Sequence, residues 1–368
     1  MLEERLESLR GLEEANGIDC VALLPGAHLY YFAGLKGHLS ERPTVGFFPL
    51  QGPPAFLLPV LEAPAAKSRL PEGARLFTYS DEEGHEHVFH QVAADLELEG
   101  KAIGIEYLGM RALEMRRIEQ AAPGCQLLAT EPWLPELRAV KDSAELSHVR
   151  RAIHIAERAM HRLLDDGGIR PGRSELEVAA DLQIALLREG GQGLAFPPIV
   201  VAGPNSASPH AGPSDRLMQE GELVTIDWGT VHSGYLSDIT RTYVLGSPDP
   251  DIKRIYDAVL AANQAGRLAV RQGMPAQDVD RAARRAISAA GLGEYFIHRT
   301  GHGLGLEGHE PPYLVEGNLE MLQAGMVVTV EPGVYVPGLG GVRIEDDLHV
   351  TEGGSETLTT LPRELRVL

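Results

Sequence analysis

The segment Gly-Glu-Leu-Val-Thr-Ile-Asp-Trp-Gly at residues 221–229 aligns with Gly-Met-Val-Val-Thr-Val-Glu-Pro-Gly at residues 325–333, an offset of 104. Both copies are apolar runs that end in a carboxylate and a glycine, a pattern typical of a buried strand followed by a turn. The same offset carries Pro171 onto Pro275, and each proline lies between two helical patterns. A chance similarity of two strands is the alternative, but it does not account for the matching prolines. The sequence therefore predicts a helix–helix–strand–strand unit that occurs twice, in one pseudo-symmetric domain rather than in a solenoid of about three or more repeats.

The repeat occupies the second of two predicted domains. A chain of 368 residues has the length of about two domains at roughly 100–200 residues each. The segment Thr-Glu-Pro-Trp-Leu-Pro at 130–135 has two prolines, which suit a connection better than the interior of a helix or strand. We therefore predict an N-terminal α/β domain at 1–133 and a C-terminal α+β domain at 134–368.

Local patterns predict the elements of both domains. In the first domain, leucines at helical spacing open the chain and short β-type runs follow at 18–24, 29–32, 44–48, 55–60, 75–79 and 103–107. In the second, the pairs Asp142/Glu145 and Ser174/Glu177 have the spacing of a capping box. Each pair is therefore expected to begin a helix, and the second helix should end near Gly190.

Charge and hydropathy argue against two classes of partner. The 33 basic and 52 acidic residues give a net charge of −19, the wrong sign for binding nucleic-acid phosphates or an anionic membrane surface. The first residues, Met-Leu-Glu-Glu-Arg, are charged where a signal peptide has an apolar core. No apolar run approaches the roughly 18 residues of a membrane helix. We expect a cytoplasmic protein that binds neither nucleic acid nor membrane.

Two further groups of reactive side chains predict no site of their own. Cys20 and Cys125 are too few for a disulfide framework, and neither lies in a Cys-x-x-Cys pair. We interpret both as small core residues. His85, His87 and His90 cluster in an acidic stretch without a complete set of metal ligands. We expect these histidines in an exposed loop or at the start of a helix.

Four carboxylates are expected to converge where the strands of the repeat end. A turn midway between Asp227 and Asp238 would make these two acids cross-strand neighbours. Directly opposed residues have Cβ atoms about 4.5–5.5 Å apart, so two bare carboxylates repel unless a proton or a cation lies between them. Glu331 and Glu345 have the same relation around a glycine-rich turn centred on Gly338.

Such a cluster suits a pair of divalent cations. Four carboxylates are enough for two ions when some of them bridge, and a dinuclear site usually adds an imidazole. His302, in Gly-His-Gly-Leu-Gly at 301–305, is the candidate, because flanking glycines allow the backbone to approach a ligand closely. The alternatives are accidental pairs among the 52 acids and a histidine packed in the core. Neither alternative explains why these four acids end apolar strands.

Five motifs of the C-terminal domain occur together and in order. They are Asp227, Ser-Asp-Ile-Thr-Arg-Thr at 237–242, Gly-His-Gly-Leu-Gly with His309-Glu310, Glu331-Pro332-Gly333 and Arg343-Ile344-Glu345-Asp346. These motifs resemble the metallopeptidases with the pita-bread fold, above all the Xaa-Pro peptidases, prolidase and aminopeptidase P. The resemblance implies a C-terminal pita-bread domain with a pseudo-twofold internal repeat and an N-terminal creatinase/prolidase-like α/β domain.

The resemblance also implies two divalent metal ions per chain. Asp227 would bind one ion, His302 and Glu331 the other, and Asp238 and Glu345 would bridge the two. Water activated between the ions would attack a peptide carbonyl. One imidazole among carboxylates favours manganese or cobalt, without excluding zinc.

Three more residues are expected to act beside the metal ions. His210 and His309 match the family's histidines that position the substrate and stabilise the tetrahedral intermediate. Arg343 lies two residues from Glu345 and therefore on the same strand face, so it can orient that carboxylate or another acid.

The resemblance implies a homodimer that hydrolyses Xaa-Pro bonds in short proline-containing peptides. A proline after the scissile bond needs an apolar pocket, for which Phe196-Pro197-Pro198-Ile199 and Pro311-Pro312-Tyr313 are candidate walls. Dipeptidases of this family commonly bind the substrate carboxylate with an arginine after the Gly-His-Gly motif, but residues 311–325 contain neither Arg nor Lys. Xaa-Pro dipeptidase and aminopeptidase P therefore both stay open. A creatinase-like hydrolase and a non-catalytic peptide-binding module of the same fold are the alternatives.

Overall fold

The computed structural model describes residues Leu2–Leu368, so Met1 lies outside the described residues. The chain divides into two compact units, Met1–Arg138 and Ala139–Leu368, whereas the sequence predicts a boundary near residue 133. Within the described residues, no helix combines the length and the apolar character that crossing a membrane requires.

The first unit is a six-stranded mixed sheet with helices, as the predicted α/β class requires. Its strands are β1 (Cys20–Leu23), β2 (Val45–Pro49), β3 (Ala55–Pro59), β4 (Arg75–Tyr79), β5 (Ala102–Ile105) and β6 (Gln126–Ala129), in the spatial order β4-β3-β2-β1-β5-β6. Pairs β1/β5, β5/β6 and β3/β4 are parallel, and β1/β2 and β2/β3 are antiparallel. The helices are α1 (Leu2–Asn16), α2 (Ala27–Ala33), α3 (Ala63–Lys67), α4 (Glu86–Asp95), α5 (Ala112–Ala121) and α6 (Glu136–Ala139), the last of which spans the division between the units.

One predicted strand of this unit is wrong. Residues 29–32 lie in α2, which ends where Gly34 adopts φ 65° and donates its N–H to the carbonyl of Tyr30. A run of four apolar residues is too short to show a helical period, and its aromatic content imitates a strand. The histidine cluster lies at a helix start, as expected, with His85 at the N-cap of α4 and both His87 and His90 exposed. Cys20 is buried and Cys125 half-buried, both as free thiols.

The second unit contains four long helices and several antiparallel sheets. Its helices are α7 (Ser143–Asp165), α8 (Glu175–Arg188), α9 (Pro250–Ala269) and α10 (Ala276–Ala289). One sheet is formed by β7 (Ile199–Ala202), β8 (Leu223–Trp228), β11 (Ile239–Val244) and β19 (Arg366–Val367), with β9 (Val231–His232) and β10 (Tyr235–Leu236) as a short hairpin beyond it. A second sheet is formed by β12 (Gly301–Gly303), β13 (Glu310–Leu314), β14 (Val327–Val330), β17 (Asp346–Thr351) and β18 (Gly354–Thr357), and β15 (Gly333–Val336) pairs with β16 (Gly340–Arg343).

The internal repeat is present in this unit. In each copy two helices precede three neighbouring antiparallel strands, β7-β8-β11 in the first copy and β12-β14-β17 in the second. Helices α7 and α9 end at Asp165 and Ala269, which are 104 residues apart, the offset found in the sequence. The predicted capping boxes are also observed, because Asp142 and Ser174 each cap a helix in exchange with a glutamate three residues later. The predicted α+β domain with a pseudo-twofold repeat is therefore confirmed.

Candidate active site

A cavity of about 990 Å³ within the second unit contains the predicted site residues. The acids and His302 come from both copies of the repeat: Asp227 lies on β8, Asp238 directly before β11, His302 within β12, Glu331 after β14 and Glu345 before β17. The buried indole of Trp228 donates to the carbonyl of Ala156 on α7 at 3.0 Å and so fixes the end of β8 beside Asp227. The two copies of the repeat thus bring these five side chains into one cavity.

The second hairpin has the predicted register. Val330 is opposite Asp346 on one side of the site, and Gly333 is opposite Arg343 on the other. Both pairs are centred on Gly338, which adopts φ 82°. Glu331 and Glu345 lie between these two paired segments and therefore face each other, as the sequence predicts.

The first hairpin has a different register from the predicted one. Asp227 is opposite Thr240 rather than Asp238, because the turn is centred between Ser233 and Gly234, which adopt φ 51° and 89°. Two consecutive residues with positive φ form the turn that best suits the twist of a two-residue hairpin. Asp238 lies two residues before Thr240 and so keeps the expected strand face, but in a segment without strand pairing. Its backbone N–H donates to Asp347 Oδ2 at 3.2 Å, which holds that segment in place.

The five donor side chains form overlapping groups. In each group, one ligand atom per residue lies within 4.8 Å of the others: Asp227 with Asp238 and Glu345, and His302 with Glu331 and Glu345. Glu345 belongs to both groups, and Asp238 Oδ2 lies 3.7 Å from His302 Nε2. The geometry therefore offers two adjacent cation positions with Glu345 and Asp238 between them.

The imidazole of His302 is oriented toward the carboxylates. Its Nδ1 lies 3.1 Å from the carbonyl oxygen of Gly303, and its Nε2 lies 3.3 Å from Glu331 Oε1. A backbone carbonyl can only accept, so Nδ1 carries a proton, and Nε2 is the ring nitrogen directed at the acids. The glycines around His302 serve a different purpose from the expected one. A Cβ on Gly301 would lie 2.0 Å from the carbonyl oxygen of Thr329, and one on Gly303 would lie 2.2 Å from that of Pro311, so both allow close packing of neighbouring strands rather than approach to a ligand.

The buried and mutually repelling carboxylates of the cluster form a site that favours bound cations. Burial, followed by the charges of neighbouring acids, raises the pKa of Asp238 and of Glu345 well above the usual range. Burial is also the largest single influence on Glu331 and acts in the same direction, but the contact with His302 and the charges of His302, His298 and Arg343 together outweigh it and lower the pKa of that carboxyl to about 2. Asp227 Oδ1 is buried and accepts no hydrogen bond from the described residues. An unshared buried oxygen among carboxylates and one imidazole is a donor set that fits hard divalent cations.

Arg343 and Thr240 hold the two hairpins in this arrangement. Arg343 donates to Asp227 Oδ2 at 2.7 Å and to the hydroxyl of Thr240 at 3.1 Å. That hydroxyl donates to Glu345 Oε2 at 2.7 Å. Arg343 therefore contacts Asp227 directly and Glu345 only through Thr240, so the acid that it orients comes from the other copy of the repeat.

His210 and His309 both line the cavity. The ring of His309 lies 4.1 Å from that of His302 between centroids. Partial desolvation at the cavity wall, and after it the charge of His302, lower the pKa of His309 to about 4. His309 is therefore neutral at neutral pH and can donate one hydrogen bond to a substrate oxygen.

Several site residues were not predicted from the sequence. His298 donates from Nδ1 to the carbonyl of Arg299, so its Nε2 accepts from the hydroxyl of Tyr335 at 2.9 Å, and Arg343 donates to the same hydroxyl at 2.8 Å. Arg299 and Glu307 line the cavity as well. The available signal for His298 and Arg299 is their position three and two residues before the Gly-His-Gly motif.

Apolar residues line part of the same cavity. They include the predicted segment 196–199, together with Pro209 and Pro213, and Ile199 is the strand partner of Asp227. The other candidate wall, residues 311–313, lies in β13 and is not among the described residues that line the cavity. The cavity therefore has both a polar and an apolar part to its lining.

Comparison with known proteins places this geometry in context. The model of metallopeptidase family M24 matches residues 147–352, and that of the creatinase/prolidase N-terminal domain matches residues 5–140. The probable dipeptidase PepE of Mycobacterium tuberculosis is 40% identical over 355 residues, covering 96% of this chain and 92% of that protein. The Xaa-Pro dipeptidase of Pyrococcus furiosus is 35% identical over 366 residues, covering 99% of this chain and all of that protein. The crystal structure of recombinant prolidase from Thermococcus sibiricus superimposes with a TM-score of 0.95 at 34% identity, covering 100% of this chain and 99% of that chain.

Proposed function

Since the chain belongs to metallopeptidase family M24 and has the family's creatinase/prolidase N-terminal domain, we propose that it is a metallo-exopeptidase that cleaves Xaa-Pro bonds in short peptides. The observation that carries this proposal is one cavity lined both by the acids with His302 and by a proline-rich apolar segment. The scissile bond would lie at the acids, with the proline ring against the apolar segment.

We assign the cation ligands from the geometry of the two overlapping groups. Asp227 would hold one ion, His302 and Glu331 the other, and Asp238 and Glu345 would be shared. Two divalent cations in these positions supply Lewis-acid polarisation of the carbonyl and a nucleophile generated from water near neutral pH. Manganese or cobalt suits this oxygen-rich set with one imidazole.

The chain's own residues would orient the substrate. His309, neutral at neutral pH, would donate a hydrogen bond to the carbonyl oxygen as it gains negative charge, and His210 would support it from the cavity wall. Proline after the scissile bond offers no N–H and has a fixed φ. The apolar segment 196–199 suits such a ring. Its four side chains are apolar and can pack against the proline, and none of them requires a hydrogen-bond partner.

The deciding experiment measures metal content and cleavage together. Purified protein would be loaded with Mn²⁺ or Co²⁺ and assayed on Ala-Pro, Ala-Pro-Ala and Ala-Ala. We expect about two ions per chain and hydrolysis of at least one of the two proline substrates, with Ala-Ala cleaved far more slowly. Equal cleavage of Ala-Ala would overturn the proline preference. Two ions without hydrolysis of any peptide would favour a peptide-binding module, and hydrolysis of creatine without metal would favour a creatinase-like enzyme.

We also propose that the enzyme is a cytoplasmic homodimer. The free thiols of Cys20 and Cys125 suit a reducing compartment, and the net charge of −19 opposes adsorption to nucleic acid or anionic lipid. Light scattering after gel filtration tests the dimer, and cell fractionation tests the compartment. A monomer at micromolar concentration, or recovery in the membrane fraction, would contradict the respective statement.

A further inference from the structure

We propose that Arg299 binds the C-terminal carboxylate of the substrate and thereby makes Xaa-Pro dipeptides the preferred substrates. This inference rests on the proposed function, since it assigns the length of the peptide that the same cavity accepts. It also assigns the carboxylate-binding role that the sequence leaves open, because residues 311–325 contain no basic residue.

A dipeptide needs a cation in this cavity. Its carboxylate lies one residue beyond the scissile carbonyl, a distance of about 3–4 Å along the chain. That position is close to Asp227, Asp238, Glu331 and Glu345, whose charges repel a further anion wherever the bound cations do not compensate them. A fixed positive charge close to the substrate carboxylate would offset this repulsion.

Two guanidinium groups line the cavity, those of Arg299 and Arg343. All three nitrogens of Arg343 are engaged within the protein, because they donate to Asp227, Thr240, Tyr335 and the carbonyl of Pro209. It is also 4% exposed. These bonds use four of its five N–H groups, so Arg343 has no parallel pair of donors left for a substrate carboxylate.

Arg299 has the opposite properties. It is half-buried, and its guanidinium lies over the ring of Tyr313 with 4.5 Å between the central carbon and the ring centroid. Within the described residues, no carboxylate or carbonyl oxygen accepts a hydrogen bond from it. Stacking holds the plane of the guanidinium and leaves the N–H groups on its edge available, which is the arrangement that binds a carboxylate with two parallel hydrogen bonds.

Arg299 is also in the right part of the cavity. It lies three residues before His302 in the chain and lines the same cavity as His302 and His309. His309 in turn packs against His302. Since we place the scissile bond beside these two histidines, Arg299 lines the cavity in which the carboxylate of a dipeptide would lie.

The test compares substrates with and without the carboxylate. Wild type, Arg299→Gln and Arg285→Gln would be assayed on Ala-Pro, on Ala-Pro amide and on Ala-Pro-Ala. Arg285 is exposed and outside the cavity lining, so its variant controls for loss of one positive charge. We expect Arg299→Gln to raise the KM for Ala-Pro roughly 10- to 100-fold, as for a lost charged hydrogen bond, with little change in kcat. The KM for Ala-Pro amide should stay within about twofold of wild type.

Two further variants keep the inference testable if Arg299→Gln folds poorly. Arg299→Lys keeps the charge but loses the planar pair of donors, so it should retain part of the dipeptide affinity. Tyr313→Leu removes the stack and should raise the KM for Ala-Pro less than Arg299→Gln does. Equal loss on Ala-Pro and its amide, or no loss on either, would overturn the assignment of Arg299. If the wild type cleaves none of the three proline substrates, the proposed function itself has failed.

Discussion

The two units of this protein bury carboxylates in opposite ways. In the second unit, Asp227, Asp238, Glu331 and Glu345 converge on one cavity with His302. In the first unit, Glu13 on α1 is fully buried, and neither of its carboxylate oxygens has a hydrogen-bond partner among the described residues. It lines a void of only about 10 Å³ with side chains such as Leu6, Leu9 and Phe48, too little space for more than about one water molecule.

The difference between these two regions shows which buried acids are candidate metal ligands. Burial raises the pKa of Glu13 to about 8, and burial also raises the pKa of Asp238 and Glu345. A raised pKa is therefore common to both regions. Within residues 2–368, groups of donors that converge on one accessible space occur in the second unit alone, so convergence, and not burial, distinguishes the candidate metal site. Neutralising an acid should therefore have opposite consequences in the two regions. It should remove bound metal and activity in the second unit, and it should raise stability in the first.

Replacement of a shared ligand should have the largest effect. Asp238→Asn removes the negative charge that lies near both cation positions, so we expect loss of at least one bound ion and of essentially all peptidase activity, with the fold retained. Metal analysis, circular dichroism and Ala-Pro hydrolysis would be measured on the same sample. Asp215→Asn, at an exposed position outside the cavity lining, is the control. Two ions per chain with unchanged turnover would refute the assignment of Asp238.

Replacement of a histidine that lines the cavity should distinguish cation ligands from residues that contact only the substrate. His309→Ala is expected to lower kcat by about 10²–10³-fold, as for loss of one donor to the oxyanion, with two ions still bound. Metal content is the informative measurement, because His309 also comes within 4.8 Å of ligand atoms of Asp238 and His302. Loss of an ion from His309→Ala would instead make His309 a ligand.

The sequence predicts those parts of the fold and site that depend on local patterns. The capping boxes at Asp142 and Ser174, the repeat, and the facing pair Glu331/Glu345 follow from short motifs and from a glycine-centred turn. Asp227 and Asp238 were given the wrong register because the turn accommodates Ser233 at positive φ, a conformation that composition does not reveal. The unpaired segment at Asp238 depends on a tertiary contact with Asp347.

Contacts between distant parts of the chain explain the other omissions. His298, Tyr335 and Arg343 form one hydrogen-bonded chain although 37 residues separate the first two. No spacing rule connects such positions, because the folded sheets alone bring them together. The same holds for Arg299 and Tyr313, whose stack crosses from the segment before β12 to β13.

A smaller effect should result from a substitution that keeps all the proposed cation ligands and removes only a group that orients one of them. Thr240→Val keeps the volume of the side chain but removes the hydroxyl that joins Arg343 to Glu345. Loss of a group that orients a ligand typically weakens metal binding by about 10–100-fold, and we expect the lower end because Arg343 still contacts Asp227. Titration of the metal-free protein with Mn²⁺ measures this change. Thr242→Val is the matched control on the same strand, since its hydroxyl bonds to Thr225 and to the backbone of Arg343, not to an acid. Equal affinity of Thr240→Val and Thr242→Val would show that Thr240 does not orient Glu345.

The smallest effect on peptidase activity, combined with a gain in stability, is expected at Glu13. Its pKa is about 8 in the folded chain, chiefly because of burial, and has its ordinary value of 4.5 in the unfolded chain. Between these pH values the unfolded chain releases the proton and the folded chain keeps it. Stability is therefore full below pH 4.5 and is lost as the pH rises through 8, by an amount on the order of a few kcal/mol.

Glu13→Gln cannot ionise and should escape this loss, so its melting temperature should exceed that of wild type increasingly from pH 5 to pH 9. Glu14→Gln, at an exposed position on the same helix, should follow wild type at every pH. Peptidase activity at a fixed pH should be unchanged in both variants. Parallel melting curves for wild type and Glu13→Gln across this range would mean that Glu13 is solvated, and the contrast between the two units would then be lost.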